Sequence, residues 1–260
     1  MFKKISRWLF LASLIVIGLS IVSVLSLRWV NPPFSMLMLE RKLSAISQGQ
    51  SYALNYQWRD FDSFPDQLKL SVIAAEDQRF AQHRGFDLTA IKAAYRHNKT
   101  AATVRGASTL TQQVAKNLFL WSSRSWLRKA LEAWFTLWIE LFWSKERILT
   151  VYLNIAEWGP GIFGAEAAAQ YYFQHSAPYL NPQQAALLAA SLPSPLTRRP
   201  DQPTAQMLNS ARWIQQQIRQ LGGSHYLTQL KPAPSRNPAT DLWQRLQQQL
   251  PKINRLPEDL

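Results

Sequence analysis

The feature that most constrains this chain is an uncharged apolar stretch near its N-terminus. The residues from Trp8 to Leu27 include no Asp, Glu, Lys or Arg, and a helix needs about 20 apolar residues to cross a bilayer. A cleaved signal peptide has a shorter apolar core followed by a small-residue cleavage site, whereas this stretch runs into Arg28 and Trp29. We therefore predict a membrane anchor, with a cleaved signal as the alternative.

The residues before the stretch predict its orientation. Lys3, Lys4 and Arg7 precede it, and positive charge beside a membrane helix favours the cytoplasmic side. The N-terminus is therefore expected in the cytoplasm, with the remainder of the chain across the membrane.

Composition limits the class of protein that the residues after the anchor can form. The chain has 260 residues and a net charge of +13, so one sizeable domain with appendages is expected. The charge favours an anionic partner such as phosphate, nucleic acid or an acidic membrane surface, and nucleic acid is set aside because it lies on the other side of the membrane. The lack of cysteine excludes disulfides, thiolate nucleophiles and cysteine zinc sites.

Capping residues before apolar runs predict a mainly α fold with few strands. Ser, Thr, Asp and Asn side chains accept hydrogen bonds from the free N–H groups of a helix start, and the GPGIFG sequence predicts a tight turn. The predicted caps are Ser63, Asp87, Thr109 with Gln112 in a capping box, Ser125, Ser144 and Asn181.

Changes in composition divide the chain into four predicted regions. The Met- and Leu-rich segment after the anchor either lies on the bilayer or forms the first helix of the domain. Beyond about residue 200 the sequence is rich in Gln, with weak helical stretches near 204–221 and 240–250. The regions are 1–30 (basic N-terminus and anchor), 31–63 (membrane-proximal segment), 64–200 (main domain) and 201–260 (Gln-rich C-terminal appendage).

The stretch that follows Ser125 predicts a long helix that is apolar around most of its circumference. Such a helix is typical of a core, so its polar residues must meet water, a partner or a cleft. These polar residues recur at every fourth position and form one stripe, which consists of Arg128, Glu132, Thr136 and Glu140.

Two carboxylates and a group of cations are the candidates for chemistry. Glu76 and Glu132 lie at the edges of apolar helices, and acid–base reactions of sugars commonly use two carboxylates. Either one can instead be solvated or ion-paired, and Arg128 is a ready partner for Glu132. The cations suit a diphosphate, or else a solvated face or anionic lipid; they are Lys116, Arg124, Arg128 and Lys129.

Five segments resemble the motifs of the peptidoglycan glycosyltransferases, the lysozyme-like, mostly helical enzymes that polymerise lipid II. The segments are EDQRFAQHRGFD, RGASTLTQQVAKNLFL, RKALEAWFTLWIE, KERILTVYLN and GPGIFGAEAAAQYYF, in this order, over about residues 64–195. The resemblance is greatest to the monofunctional members, which have no transpeptidase domain. It implies a lysozyme-like glycosyltransferase domain preceded by a single transmembrane helix.

The resemblance also implies a role for each candidate residue. Glu76 matches the catalytic base that removes the proton from the 4-hydroxyl of the acceptor N-acetylglucosamine. Glu132 matches a second essential carboxylate that assists departure of the donor diphosphate, directly or through a divalent cation, Mg or Mn; no other cofactor is implied. Lys116 and Arg124 match the cations that hold this diphosphate. The residues that line or support the site are Ser108, Gln112, Gln113, Asn117, Arg128 and Lys129.

Partners and location follow from the same resemblance. The implied substrates are lipid II and a lipid-linked glycan chain, met at the membrane lipid by lateral diffusion, and proteins of cell division or elongation are further expected partners. The domain is expected in the periplasm, held at the inner membrane by a single-pass anchor.

Two other functions stay open at this point. A lytic transglycosylase or lysozyme would share the fold and a catalytic Glu, but it would not need Lys116 and Arg124 beside the sugar site. A membrane-anchored scaffold would not need Glu76. The pKa of Glu76 is also undecided, because burial raises it while neighbouring cations lower it. Asp77, the next residue, is expected to be structural.

Overall fold

The computed structural model describes residues 2–100 and 106–231 of the chain. Within them the chain is mostly helical, which confirms the predicted mainly α class. The short strands are β1 (Asn55–Tyr56), β2 (Glu157–Gly159) and β3 (Ile162–Phe163). The α-helices are α1 (Phe2–Ser26), α2 (Met36–Ser47), α3 (Asp66–Glu76), α4 (Leu88–Thr100), α5 (Leu110–Phe119), α6 (Trp126–Phe142), α7 (Lys145–Ile155), α8 (Ala165–Phe173), α9 (Pro182–Ser191), α10 (Ala205–Gln220) and α11 (His225–Thr228).

The predicted N-terminal apolar helix is present as α1. Its segment Ser6–Ser26 is long and apolar enough to cross a membrane and is almost entirely unburied. Its last turn docks on the domain, where the Trp143 indole N–H donates to Val24 O at 2.8 Å. The Arg147 guanidinium then donates to the carbonyl oxygens of Leu27 and Val30. The chain that leaves α1 is therefore fixed against the start of α7.

Most of the predicted caps are confirmed. Thr109 and Asn181 form capping boxes with Gln112 and Gln184, and Ser125 and Ser144 accept from the third N–H of α6 and α7. Asp87 Oδ1 accepts from the N–H groups at the start of α4. The Ser63 prediction is wrong. Ser63 ends a short 3-10 helix, and Pro65, whose φ of −66° already suits a helix start, is the residue before α3.

The core lies around α3, α7 and α9, whose side chains are buried along most of their lengths. A small sheet with the order β1-β3-β2 closes one side of it. β1 is parallel and β2 antiparallel to β3. The predicted glycine-rich turn joins β2 to β3, and Gly161 there has φ +74°, with space so tight that a Cβ would lie 2.5 Å from Ala53 O. Only glycine fits this position.

The expectation that α6 lies in the core is wrong. Its polar stripe faces inward, with Arg128, Glu132 and Thr136 buried, while Trp126 is 92% exposed and Leu137 and Leu141 are also exposed. α6 packs against α5 and, in addition, against the apolar α1. The apolar surface of α6 is thus next to a helix that is itself suited to lipid, and the stripe is available to a cleft.

The two predicted flanking segments also pack against the domain. α2 lies against α5 and buries Met38 and Ala45, so the membrane-proximal segment contains a helix of the domain. The helix predicted near 204–221 is present as α10, which packs against α9 and α3 and buries Met207, Ala211, Ile214 and Ile218. The boundary at residue 200 stays a prediction, and the stretch near 240–250 lies outside the described residues.

Candidate active site

Two adjacent side-chain amides at the start of α5 each donate a hydrogen bond to a different one of the two candidate carboxylates. The Gln113 amide donates to Glu76 Oε2 at 2.6 Å, and the Gln112 amide donates to Glu132 Oε1 at 3.4 Å. The Tyr152 hydroxyl donates to Gln113 Oε1 at 3.2 Å, which turns the NH₂ group of that amide towards Glu76. The capping box of α5 fixes the Gln112 amide in turn, because Gln112 Oε1 accepts from the Thr109 N–H.

Glu76 is the last residue of α3 and is half-buried. Burial raises the pKa of its carboxyl group above the ordinary range, and the charge of Asp77 raises it further. The Gln113 hydrogen bond and the Lys116 charge oppose this, yet the net direction is upward. Burial therefore outweighs the cations, and Glu76 is a stronger base than a solvated carboxylate.

Asp77 is buried and points away from this chemistry. Its two carboxylate oxygens lie 2.9 and 3.0 Å from His83 Nε2, and Oδ2 also accepts from the Leu110 N–H at 3.0 Å. It thereby joins the end of α3 to the start of α5. These contacts give Asp77 a structural role, as the sequence analysis expected.

Glu132 is buried and held by cations on its own helix. Arg128 Nη1 donates to Glu132 Oε2 at 2.9 Å, and Lys129 Nζ donates to Oε1. The predicted pair with Arg128 is therefore present. Both oxygens already accept from cations, and among the described residues no group of three or more His, Asp or Glu side chains is placed to hold a metal ion. These side chains do not form a site for Mg or Mn by themselves.

Lys116 lies on α5, one turn beyond Gln112, and the charges of both Glu76 and Glu132 act on its amine. Burial lowers the pKa of its amine, and the charges of Glu132 and Glu76 oppose that shift while Arg128 and Lys129 add to it. A cavity of about 270 Å³ opens at this point, lined by Gln113, Lys116, Asn117 and Tyr152. A partly desolvated cation beside a cavity is suited to an anionic ligand.

A second cavity, of about 410 Å³, lies at the C-terminal end of α3. Glu76 and Ser108 line this second cavity, whereas Gln113, the hydrogen-bond partner of Glu76, lines the first. Glu76 therefore lines one cavity and is hydrogen-bonded to a residue that lines the other. Trp213 and Gln217 of α10 also line the second cavity, and no local pattern in the Gln-rich sequence marked them.

The structure divides the predicted cations into two groups. Arg124, Arg128 and Lys129 line a surface cavity of about 360 Å³ at the start of α6, while Lys116 lines the cavity that Gln113 also lines. Glu132 interacts with both groups. It forms ion pairs with Arg128 and Lys129, and its charge acts to raise the pKa of Lys116. Sequence reasoning missed Arg41 and Glu157, which also line the Lys116 cavity.

Comparison with known proteins gives the family of the chain. The family model described as Transglycosylase matches residues 42–219. Several curated relatives are named biosynthetic peptidoglycan transglycosylase. One from Ectopseudomonas mendocina is 60% identical over 229 residues, 88% of this chain and 92% of the relative. One from Pseudomonas aeruginosa is 54% identical over 231 residues, 89% of this chain and all of the relative.

The helical domain, the site around Glu76 and the family match define the class of protein: the chain belongs to the transglycosylase family. Within that family it is a peptidoglycan transglycosylase, an enzyme of cell-wall synthesis.

Proposed function

We propose that this enzyme polymerises the glycan strands of peptidoglycan. It transfers the lipid-linked growing chain to the 4-hydroxyl of the N-acetylglucosamine of lipid II, with inversion, and releases undecaprenyl diphosphate. The observation that carries the proposal is the position of Glu76, whose pKa burial raises, beside one cavity and hydrogen-bonded to Gln113, which lines a second cavity together with Lys116.

The reaction needs one base and no covalent enzyme intermediate. The 4-hydroxyl oxygen of the acceptor attacks the anomeric carbon of the donor from the face opposite the diphosphate. The new C–O bond forms as the bond to the diphosphate oxygen breaks, so an α linkage becomes a β-1,4 linkage. The hydroxyl proton passes to Glu76, whose raised pKa suits it to accept that proton.

Cations stabilise the departing diphosphate. Negative charge grows on it in the transition state, so fixed cations bind the transition state more tightly than the ground state. Lys116 is proposed to contact the diphosphate directly, and Arg124 is proposed to reach it from the start of α6. Arg128 and Lys129 line the same surface as Arg124, while Glu132 keeps the two in place through its ion pairs.

The neutral polar residues are proposed to support the same substrates. Gln113 orients the Glu76 carboxylate, and Gln112 does the same for Glu132. Asn117 lines the cavity next to Lys116, and Ser108 lines the cavity on the acceptor side of Glu76. No step here requires a cofactor, because the chain's own cations and base supply the charge and the proton acceptor.

The anchor places this chemistry at its lipid-linked substrates. We propose that α1 crosses the inner membrane once, with the N-terminus in the cytoplasm and the catalytic domain in the periplasm. Its apolar segment and its docking on α6 and α7 support this arrangement. Lipid II then reaches the site by lateral diffusion, and proteins of cell division or elongation are proposed to meet the domain there.

Detergent-solubilised full-length protein incubated with labelled lipid II tests the proposal. The expected products are a β-1,4-linked glycan polymer and one undecaprenyl diphosphate for each glycosidic bond formed. The same protein incubated with intact sacculi should release no soluble muropeptides. Release of muropeptides from sacculi without polymer formation would instead identify a lytic transglycosylase. If the folded protein were inactive in both assays, a non-enzymatic scaffold would be the remaining function.

A further inference from the structure

Helix α2 contacts both sides of the Lys116 cavity through two consecutive charged residues. Glu40 Oε2 accepts from the Ser122 N–H at 2.8 Å, and Glu40 Oε1 accepts from the Ser122 hydroxyl at 2.6 Å. Arg41 donates to Glu157 Oε2 from Nε at 3.1 Å and from Nη2 at 2.9 Å. Neither Glu40 nor Arg41 belongs to the five motifs, and both precede the matched family region, residues 42–219.

The Glu40 contact is directed at the segment between α5 and α6. Ser122 follows Trp121 and precedes Arg124, and Trp121 and Ser122 both line the Lys116 cavity. Arg124 itself is exposed, so its position depends on how this short segment is held. A carboxylate that accepts from both the N–H and the hydroxyl of one serine fixes the backbone of that serine in orientation as well as in distance.

The Arg41 contact holds Glu157, another residue that lines the Lys116 cavity. Glu157 starts β2 and is buried, and its carboxylate has its pKa raised by burial, with Arg41 opposing that shift. Both residues line the Lys116 cavity. Without Arg41, a buried carboxylate would lose its cation and would add uncompensated negative charge to a cavity proposed to bind a diphosphate.

A continuous set of contacts leads from α2 back to the anchor. The end of α1 is held by Trp143, the following residues are held by Arg147, and Pro32 O accepts from the Tyr56 hydroxyl. Ser35 then caps α2. The residues between α1 and α2 are therefore held against the domain, and α2 in turn holds the Ser122 segment.

We propose that Glu40 is a positioning residue for the diphosphate site, with Arg41 as its counterpart on the opposite wall. Glu40 holds the Ser122 segment so that Arg124 is presented to the diphosphate of a substrate whose lipid is in the bilayer. This inference rests on the proposed function, because it assigns the diphosphate to Arg124 and Lys116.

Steady-state kinetics of Glu40→Ala in the full-length protein tests the proposal. We expect kcat/KM for lipid II to fall about tenfold, as for the loss of one charge-assisted hydrogen bond, with much of the loss in kcat because Arg124 is proposed to stabilise charge that grows in the transition state. Glu40→Gln keeps an acceptor for the Ser122 N–H and should recover most of the loss. Lys42→Ala, which changes an exposed residue of the same helix, is the matched control and should behave as wild type.

Two further measurements separate positioning from general destabilisation. Amide hydrogen exchange at Ser122 should accelerate in Glu40→Ala but not in Lys42→Ala, while the core of α7 stays protected in both. Addition of Arg124→Ala to Glu40→Ala should lower kcat/KM by less than the product of the two single effects. Wild-type kinetics in Glu40→Ala, or fully independent effects of the two changes, would overturn the proposal while leaving the polymerase function intact. A wild-type protein that forms no polymer would overturn the function as well.

Discussion

Gln113 donates a hydrogen bond of 2.6 Å to the carboxylate of Glu76. The bond favours the ionised form of Glu76 and opposes the larger effect of burial, which raises the pKa. The pKa of Glu76 therefore stays above its ordinary range, while the ionised carboxylate still accepts a hydrogen bond from Gln113.

Gln113→Ala should shift the acid limb of the pH–activity profile to higher pH. Removal of the hydrogen bond leaves burial less opposed, so the pKa of Glu76 rises, and the base is ionised only at higher pH. Activity should fall most at the acid end of the profile. Gln112→Ala, which faces Glu132 instead, is the control and should lower activity without moving this limb. A limb that stays in place in Gln113→Ala would show that Glu76 is not the titrating base.

Glu76→Gln should stabilise the fold at neutral pH. Because the pKa of Glu76 is raised in the folded state, the folded protein holds the proton more tightly than the unfolded chain, so stability falls as pH rises above the ordinary carboxyl range near about 4.3. The glutamine cannot ionise and avoids this loss. Melting temperatures should favour Glu76→Gln at pH 7 and converge with wild type below pH about 4. A lower melting temperature for Glu76→Gln at pH 7 would contradict the raised pKa.

Asp77→Ala should be strongly destabilising, by about 2–4 kcal/mol, because it leaves His83 and the buried Leu110 N–H without their acceptor. Urea unfolding measures this loss. Asp62→Ala, at an exposed position, is the matched control and should change stability by less than about 0.5 kcal/mol. Equal effects of the two changes would argue against a structural role for Asp77.

Lys116→Ala should lower kcat/KM by about 100- to 1,000-fold, the usual loss when a preorganised charge at a transition state is removed. Lys116→Arg should retain part of the activity because a cation remains. The control is Lys92→Ala, an exposed lysine on α4. If Lys116→Ala changed kcat/KM no more than Lys92→Ala, the diphosphate would have to be bound elsewhere.

Tyr226→Phe tests whether the segment beyond α10 supports the site. The Tyr226 hydroxyl donates to Gln78 O at 3.1 Å and accepts from the Ala81 N–H at 2.9 Å, so it holds the turn that follows Glu76. Loss of the hydroxyl should cost about 1–2 kcal/mol of unfolding free energy and loosen Glu76. Tyr179→Phe, at an exposed tyrosine, should be neutral; a neutral Tyr226→Phe would show that this contact does not matter.

Local features were the most predictable from sequence. Caps such as Thr109, Ser125 and Asn181 depend on residues within one turn, so pattern alone finds them. The Ser63 cap failed because Pro65 offers an equally good start two residues later. The apolar span of α1 is likewise a property of one continuous stretch.

Long-range features were not predictable in the same way. The inward direction of the α6 stripe depends on α1 packing against the other side of α6, which the sequence of α6 alone does not contain. The motif resemblance supplied Gln112 and Gln113 as site residues, but their separate engagement of Glu132 and Glu76 required the structure. Arg41 and Glu157 are 116 positions apart and have no pattern in common.

Comparison of lipid II polymerisation rates between full-length Glu76→Gln and full-length wild type tests most directly whether Glu76 is the base. Gln is similar in size to Glu and can still meet Gln113, but it cannot accept the acceptor proton. We predict that wild type makes glycan polymer and that folded Glu76→Gln makes at least about 100-fold less. Polymer formation by Glu76→Gln at a rate near wild type would contradict the assignment of Glu76 as the base.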